Sequence, residues 1–453
     1  MDRLRKLWQR EQPYEPIAEE GVDEDGGVPA LDDKPAFSWI DYLIFVLMGI
    51  SMLWAWNMFL AAGPYFQHRF VSNTWVFENF QAAELSVSSV ANLGSMLVLT
   101  KMQRNASYPK RIITALVINV VIFTMLALST RFFLGISAAG YFGFLIVMVF
   151  TTSLATGLCQ NGLFAFASGF QGSYVQGIMT GQAVAGVLPC IAQIVSVLSV
   201  TKKGPPPGQH GPPPKGPPPV PGKAAFAYFL TATIISVVTL MAFVYLLKRH
   251  ATRTHKRRED EDQASINSVA LSQRKSVPLM VLYRKTFWLA NAVFITFAVT
   301  MFFPVFTQRI FSVRDPKTAP QILHPPSFIP LAFLVWNTGD LLGRLLTAVP
   351  RLSLTSRPRF VFAFALARLV FVPLYHLCNI RGRGAVIESD VFYLLVVQLL
   401  FGATNGFIGS TCMIGAPQLV DDEERAATGG FMGLCLIAGL AAGSFLSFFA
   451  AGS

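Results

Sequence analysis

The chain alternates long apolar blocks with short polar joints. "WIDYLIFVLMGISMLWAWNMFLAA" and "YFGFLIVMVFTTSLATGLC" are two such blocks. About 20 mostly apolar residues, wound as a helix, cross a hydrocarbon core of roughly 30 Å. Eleven spans of this kind are predicted, over 39–62, 82–100, 112–130, 141–168, 174–200, 224–247, 286–306, 328–349, 359–379, 391–415 and 426–449. "SGFQGS" between the fourth and fifth leaves room only for a tight turn. The pattern predicts an all-α polytopic membrane protein with eleven transmembrane helices, so the lipid bilayer is its first partner.

Composition agrees and removes other classes. The chain is 53% hydrophobic and 13% charged, against about 25% charged in soluble domains. Its net charge of +11 sits mostly in the loops, so a nucleic-acid partner is not expected. Lysine and arginine in those loops set orientation. With the N-terminus cytoplasmic, 23 fall on the cytoplasmic side and 11 on the other. The expectation is therefore a cytoplasmic N-terminus. The charged start, "MDRLRKLWQREQPYEPIAEE", has no apolar core and does not read as a signal peptide. Within it, "YEPI" has the form of a tyrosine-based sorting signal, which keeps vacuolar or endosomal membranes open beside the plasma membrane. "NAS" at Asn105 matches a glycosylation acceptor but falls in a loop predicted to be cytoplasmic. The five cysteines lie in apolar blocks without C-x-x-C spacing, so neither disulfides nor a metal site is expected.

Three polar segments divide the chain. Residues 1–38 form an acidic-rich tail expected to be disordered and cytoplasmic. Residues 248–285, with "KRHATRTHKRREDEDQ", form a charged cytoplasmic loop after the sixth span. Residues 201–223 contain "KKGPPPGQHGPPPKGPPPVPG", which favours an extended polyproline conformation and reads as a stiff external loop. What remains is a six-span part, 39–247, and a five-span part, 286–453.

Polar residues inside spans carry the candidate chemistry. In the eighth span, Phe333, Asn337, Asp340, Arg344 and Thr347 follow i, i+4, i+7, i+11, i+14, which is one helical face. A charge at mid-bilayer costs about 2.5–3.5 kcal/mol on insertion scales. The face must therefore look at protein or water, and the i, i+4 spacing allows an ion pair. Such a pair either locks one helix to another or offers hydrogen bonds to a polar solute. In the fourth span, Thr152, Thr156 and Gln160 share a face. Threonines can bond their own helix's carbonyls, but Gln160 has donors and an acceptor that suit the edge of a nucleobase. Trp56 and Asn57 lie deep in the first span. Asp41 and Glu84 fall near predicted span ends and are expected at the wet interface. Glycines four apart (177/181, 402/406, 429/433, 439/443) signal closely packed helices.

No H-E-x-x-H, G-x-S-x-G or phosphate-loop pattern occurs, so enzymatic activity is not expected. "NTGDLLG" has the glycine-aspartate of intramembrane aspartyl proteases, but a second aspartate at depth is missing.

Together these motifs resemble the equilibrative nucleoside transporters, from about 39 to 449. "WAWNMFLAAGPYF" looks like the family's L-P-W-N-x-F…YF, with Ala55 where the family has proline. "CQNGLFAFASGFQGSYVQGIMTGQAVAGV" is similar to Q-G-S-L-F…Y-x-x-x-x-M-S-G-Q-x-x-A-G. "WNTGDLLGRLLT" resembles F-N-x-x-D-x-x-G-R-x-L-T, and "ARLVFVPLYHLCN" resembles R-x-x-x-x-P-L-x-x-x-C-N. "TNGFIGSTCMIGAP" and "GLAAGSFLSF" match the last two motifs, S-N-G-Y…P and G-L-x-x-G-x-x-x-S-F. The proline-rich insert departs from the family pattern and points to a lineage-specific branch, such as a fungal one. The resemblance implies a major-facilitator-like 6+5 fold with alternating access to a central polar cavity. It implies nucleosides as cargo, with nucleobases left open, no cofactor, no metal and no obligate protein partner. Carried over residue by residue, Asp340 and Arg344 would hold the ribose, Asn337 would line the pocket, and Gln160 would read the base. Leu53 and Trp56 would wall it. A carrier for another polar solute, such as a sugar or a cation, and an intramembrane enzyme are the alternatives.

Overall fold

The computed structural model describes residues 37–103, 106–132, 134–201, 222–262, 277–315 and 318–452. The expected tail at 1–36 and the proline-rich loop at 202–221 lie outside the described residues. The chain forms α1 (Trp39–Arg69), α2 (Thr74–Lys101), α3 (Tyr108–Phe132), α4 (Ala138–Ala167), α5 (Gly172–Thr201) and α6 (Gly222–Asp262). It continues with α7 (Leu279–Thr300), α8 (Pro325–Leu346), α9 (Pro358–Ala367), α10 (Leu400–Gly415) and α11 (Arg425–Gly452). A wide-wound π segment, Phe392–Leu399, leads into α10.

Ten helices among the described residues are long and apolar enough to cross a membrane. The predicted eighth span, 328–349, is α8. It is helical over 22 residues, but its polar stripe keeps it out of that set. A helix whose polar face is covered by protein does not need apolar residues all round.

Helix ends differ from the apolar blocks because side-chain caps, not hydropathy, set them. Asn73 accepts from the Val76 amide at 3.2 Å, so α2 starts eight residues before the expected 82. Ser38 and Ser137 cap α1 and α4 in the same way. The expected loop at 248–285 is helical at both ends, since α6 runs to Asp262 and α7 begins at Leu279.

Packing divides the helices into α1–α6 and α7–α11. The main contacts across this divide are α5 on α8 and α10, and α11 on α2 and α4. The apolar core shows where the two sets join. One cluster, with Phe45, Phe164, Phe243, Phe297 and Met432, spans both sets at the end holding the α1 N-terminus. At the other end the clusters separate. One, around Phe59, Phe66 and Phe229, belongs to α1–α6; the other, around Phe303, Phe328 and Phe401, belongs to α7–α11. The conformation is thus sealed at one end by a shared core.

Candidate functional site

α8 reaches its neighbours because glycines let backbones touch. A Cβ on Gly343 would overlap the Ala403 carbonyl, and one on Gly406 would overlap the Asp340 carbonyl. This close α8–α10 approach brings Asn405 onto Asp340. Its amide donates to Asp340 Oδ1 at 2.6 Å, while Arg344 Nε donates to Oδ2 at 2.8 Å. The i, i+4 pair read from the sequence is present, with Asp340 3% and Arg344 5% exposed. Such burial requires every lone pair and proton to find a partner.

The guanidinium also crosses to the other helix set. Arg344 Nη1 donates to Met179 O at 2.7 Å and to Gln182 Oε1 at 3.1 Å, both on α5. One turn nearer the sealed end, Gln176 donates to the Arg344 carbonyl at 3.5 Å, and Tyr42 of α1 donates to Gln176 at 2.9 Å. The pair is both a hydrogen-bonding centre and a tie between α8 and α5.

Behind Asp340 the network continues to a second cation. Thr300 Oγ1 lies 2.6 Å from Asn405 Oδ1, and Arg368 Nη2 donates to Thr300 Oγ1 at 3.2 Å. Arg368 is 1% exposed, donates to Thr296 O at 2.6 Å, and sits 4.8 Å from the centre of the Phe401 ring. Two buried arginines therefore flank a single carboxylate. Asn405, Gln182 and Arg368 were not among the expected site residues. The signal for Arg368 was a lone cation inside a predicted span; for Asn405 and Gln182 it was only an amide in an apolar helix.

The other expected residues are less tightly tied. Asn337 donates to its own helix at Phe333 O, 2.8 Å, and sits 3.6 Å from Cys190 Sγ on α5. Gln160 is buried on α4, and its Oε1 has no hydrogen-bond partner. Leu53 and Trp56 are half-buried on α1, and the Trp56 ring packs 6.5 Å from Phe59. Next to Trp56, Asn57 donates to Ala185 O on α5 at 2.7 Å. The five cysteines are free thiols. Among the described residues no group of three or more metal-ligating side chains comes together.

Two interface expectations need correction. Asp41 is 1% exposed and pairs with Arg249 of α6 at 2.8 Å. Glu84 is 8% exposed, ten residues inside α2, because that helix begins earlier than its apolar block.

Two packed helix sets around a buried polar centre make an all-α, major-facilitator-like membrane fold. Solved structures share this fold. The fucose:proton symporter FucP in its outward conformation matches with a TM-score of 0.54 at 13% identity, covering 91% of this chain and 95% of its own. A bacterial homologue of the iron transporter ferroportin, outward-facing with soaked iron, matches with a TM-score of 0.57 at 10% identity, covering 92% and 96%. The sequence profile described as "Nucleoside transporter" matches residues 145–451, and the chain belongs to that family. Nucleoside transporter FUN26 of Saccharomyces cerevisiae is 29% identical, over 90% of this chain and 83% of its own. Human equilibrative nucleoside transporter 1 is 26% identical, over 90% and 96%.

Proposed function

We propose that the protein carries nucleosides down their gradient across a bilayer by alternating access, with 39–247 and 286–453 as the two moving halves. The observation that carries this reading is the buried Asp340–Arg344 pair, seated on the divide between the helix sets of a nucleoside transporter family member. A carboxylate and a guanidinium side by side offer an acceptor and donors to a vicinal diol. Asn337 borders them, and Gln160, with its unpartnered amide oxygen, meets the base. Leu53 and Trp56 supply an apolar wall. The cargo is a small neutral solute, and the chain acts as a carrier rather than an enzyme. Its N-terminus faces the cytoplasm, in the plasma membrane or in a vacuolar or endosomal one. In that orientation the sealed end is cytoplasmic and the cavity opens to the other side.

Purified protein in liposomes tests the reading. Labelled uridine or adenosine should enter, and unlabelled nucleosides but not sugars should compete. Asp340→Ala and Arg344→Ala should each abolish uptake while eluting as folded protein. Unchanged uptake in both variants refutes the assignment of the pair to the substrate.

A further inference from the structure

Arg368 enters the bundle at a break in its helix. α9 ends at Ala367, a tighter 3₁₀ turn covers Arg368–Val370, and a short helix, Phe371–His376, follows. Pro373 sits in that short helix and has no N–H for the Leu369 carbonyl one turn back, so the winding changes here. The guanidinium carries five N–H donors and no acceptor. Nε donates to Thr404 Oγ1 at 3.2 Å, Nη1 to Thr296 O at 2.6 Å, and Nη2 to Thr300 Oγ1 at 3.2 Å and Asn405 Oδ1 at 3.4 Å. The Phe401 carbonyl lies 3.5 Å from Nη2. All of these partners are neutral. Burying a cation among neutral partners is costly, and an apolar side chain of similar volume would serve stability better. Such a group inside a membrane helix points to a use other than packing.

Asn405 carries the polarity of Arg368 to Asp340. Thr300 Oγ1 at 2.6 Å and Arg368 Nη2 both lie on its Oδ1 side, so its Nδ2 has to face Asp340 Oδ1, at 2.6 Å. Turning the amide over would set N–H against guanidinium N–H and carbonyl oxygen against carboxylate. Arg344 Nε holds the other carboxylate oxygen, Oδ2, at 2.8 Å. Donors therefore pin both oxygens, and the carboxylate cannot turn without losing one of them. A carboxylate has about four lone-pair sites, so acceptor capacity remains on both oxygens. The Arg344 guanidinium in turn keeps Nη2 without a hydrogen bond among the described residues.

We propose that Arg368 is a positioning residue for the solute: acting through Asn405, it fixes the Asp340 carboxylate beside the Arg344 guanidinium, and so sets the preference for solutes with a vicinal diol. It touches no solute itself. Two adjacent hydroxyls need an acceptor and a donor at a fixed spacing, and partners ordered beforehand spare that cost on binding. A carboxylate free to turn loses the diol contact while the walls of the pocket stay. The inference rests on the nucleoside transport reading.

Uptake kinetics in proteoliposomes test this with uridine and with 2′,3′-dideoxyuridine, which lacks both hydroxyls. Arg368→Met should raise KM for uridine about tenfold, the loss of roughly one charge-assisted hydrogen bond. Vmax should stay within about twofold, and KM for dideoxyuridine should change by less than about twofold. Arg368→Lys, which keeps a donor-only head, should recover part of the uridine KM. Arg368→Gln, without the cation, gives the same comparison where the methionine variant does not elute as folded protein. A loss that falls equally on the two solutes, a loss in Vmax with KM unchanged, or an unchanged uridine KM overturns the positioning role and leaves the transport reading intact. No uptake of either nucleoside by the wild type overturns the transport reading, and the inference falls with it.

Discussion

Asn405 is the joint between Asp340 and the second buried arginine, and replacing it by leucine isolates that joint. The amide is 2% exposed. It donates to Asp340 Oδ1 at 2.6 Å and stands 2.6 Å from Thr300 Oγ1. A hydrogen bond to a charged group contributes about 1.5–3 kcal/mol, and leaving its partner buried and unsatisfied adds desolvation. Asn405→Leu should therefore destabilise the protein by about 3 kcal/mol, even though leucine matches the apolar surroundings. In an Asp340→Asn background the charge is gone, so the same substitution should cost only about 1 kcal/mol. The coupling between the two positions is then about 2 kcal/mol. Denaturant titration of the four detergent-purified proteins, followed by tryptophan fluorescence, measures the cycle. Additivity to within about 0.5 kcal/mol would mean that Asn405 does not act through Asp340, and the network reading would be wrong.

Other substitutions probe the scaffold. Gly343→Val should force α8 off α10, lowering stability by about 3 kcal/mol and reducing uptake with it; an unchanged melting profile would contradict the close approach. Asp41→Ala should leave the partly exposed Arg249 without its carboxylate and lower the unfolding free energy by about 2 kcal/mol, and Arg249→Met in the same background should restore part of it. The uptake of Asp340→Ala and Arg344→Ala, described above, completes the set.

Much of the fold was legible because bilayer physics writes it into local composition. Apolar blocks located the helices, and the spacing of Asn337, Asp340 and Arg344 marked a face that lipid could not touch. The i, i+4 spacing allowed an ion pair, and the structure contains it. The errors came from averaging. The stretch "TWVFENFQ" is too polar to look like a span, yet Asn73 caps it into α2 and carries Glu84 inside. A capping residue was the available signal. The partners of the pair were illegible for a different reason. Asn405 lies 65 residues from Asp340, and Gln182 lies 162 from Arg344. Nothing local states the register in which α8 meets α10 and α5; the reciprocal glycines state only that some close register exists. Leu53, Trp56 and Gln160 rest on resemblance, since no direct hydrogen bond among the described residues joins them to the pair.

The sequence left two roles for Asp340 and Arg344, a lock between helices or a clamp on a solute; the geometry shows the lock, and on the proposed reading the two are one device. Arg344 spends a donor on the Met179 carbonyl and another contact on Gln182, both across the divide. Those bonds hold only while α5 and α8 keep this register. When the halves rock, a buried guanidinium that lost both acceptors would be left under-satisfied, which raises the barrier to motion in an empty carrier. A solute with adjacent hydroxyls offers replacement acceptors, and its differential affinity for the two states is what moves the equilibrium. On the proposed reading, the lock is what makes the clamp useful: it couples occupancy to motion. A Gln182→Ala variant separates the two, because it removes one acceptor of the lock while leaving both charges of the pair in place. It should raise exchange of poor substrates relative to good ones, measured as the ratio of exchange rates for deoxyribonucleosides and ribonucleosides. An unchanged ratio would return the contact to a merely structural role.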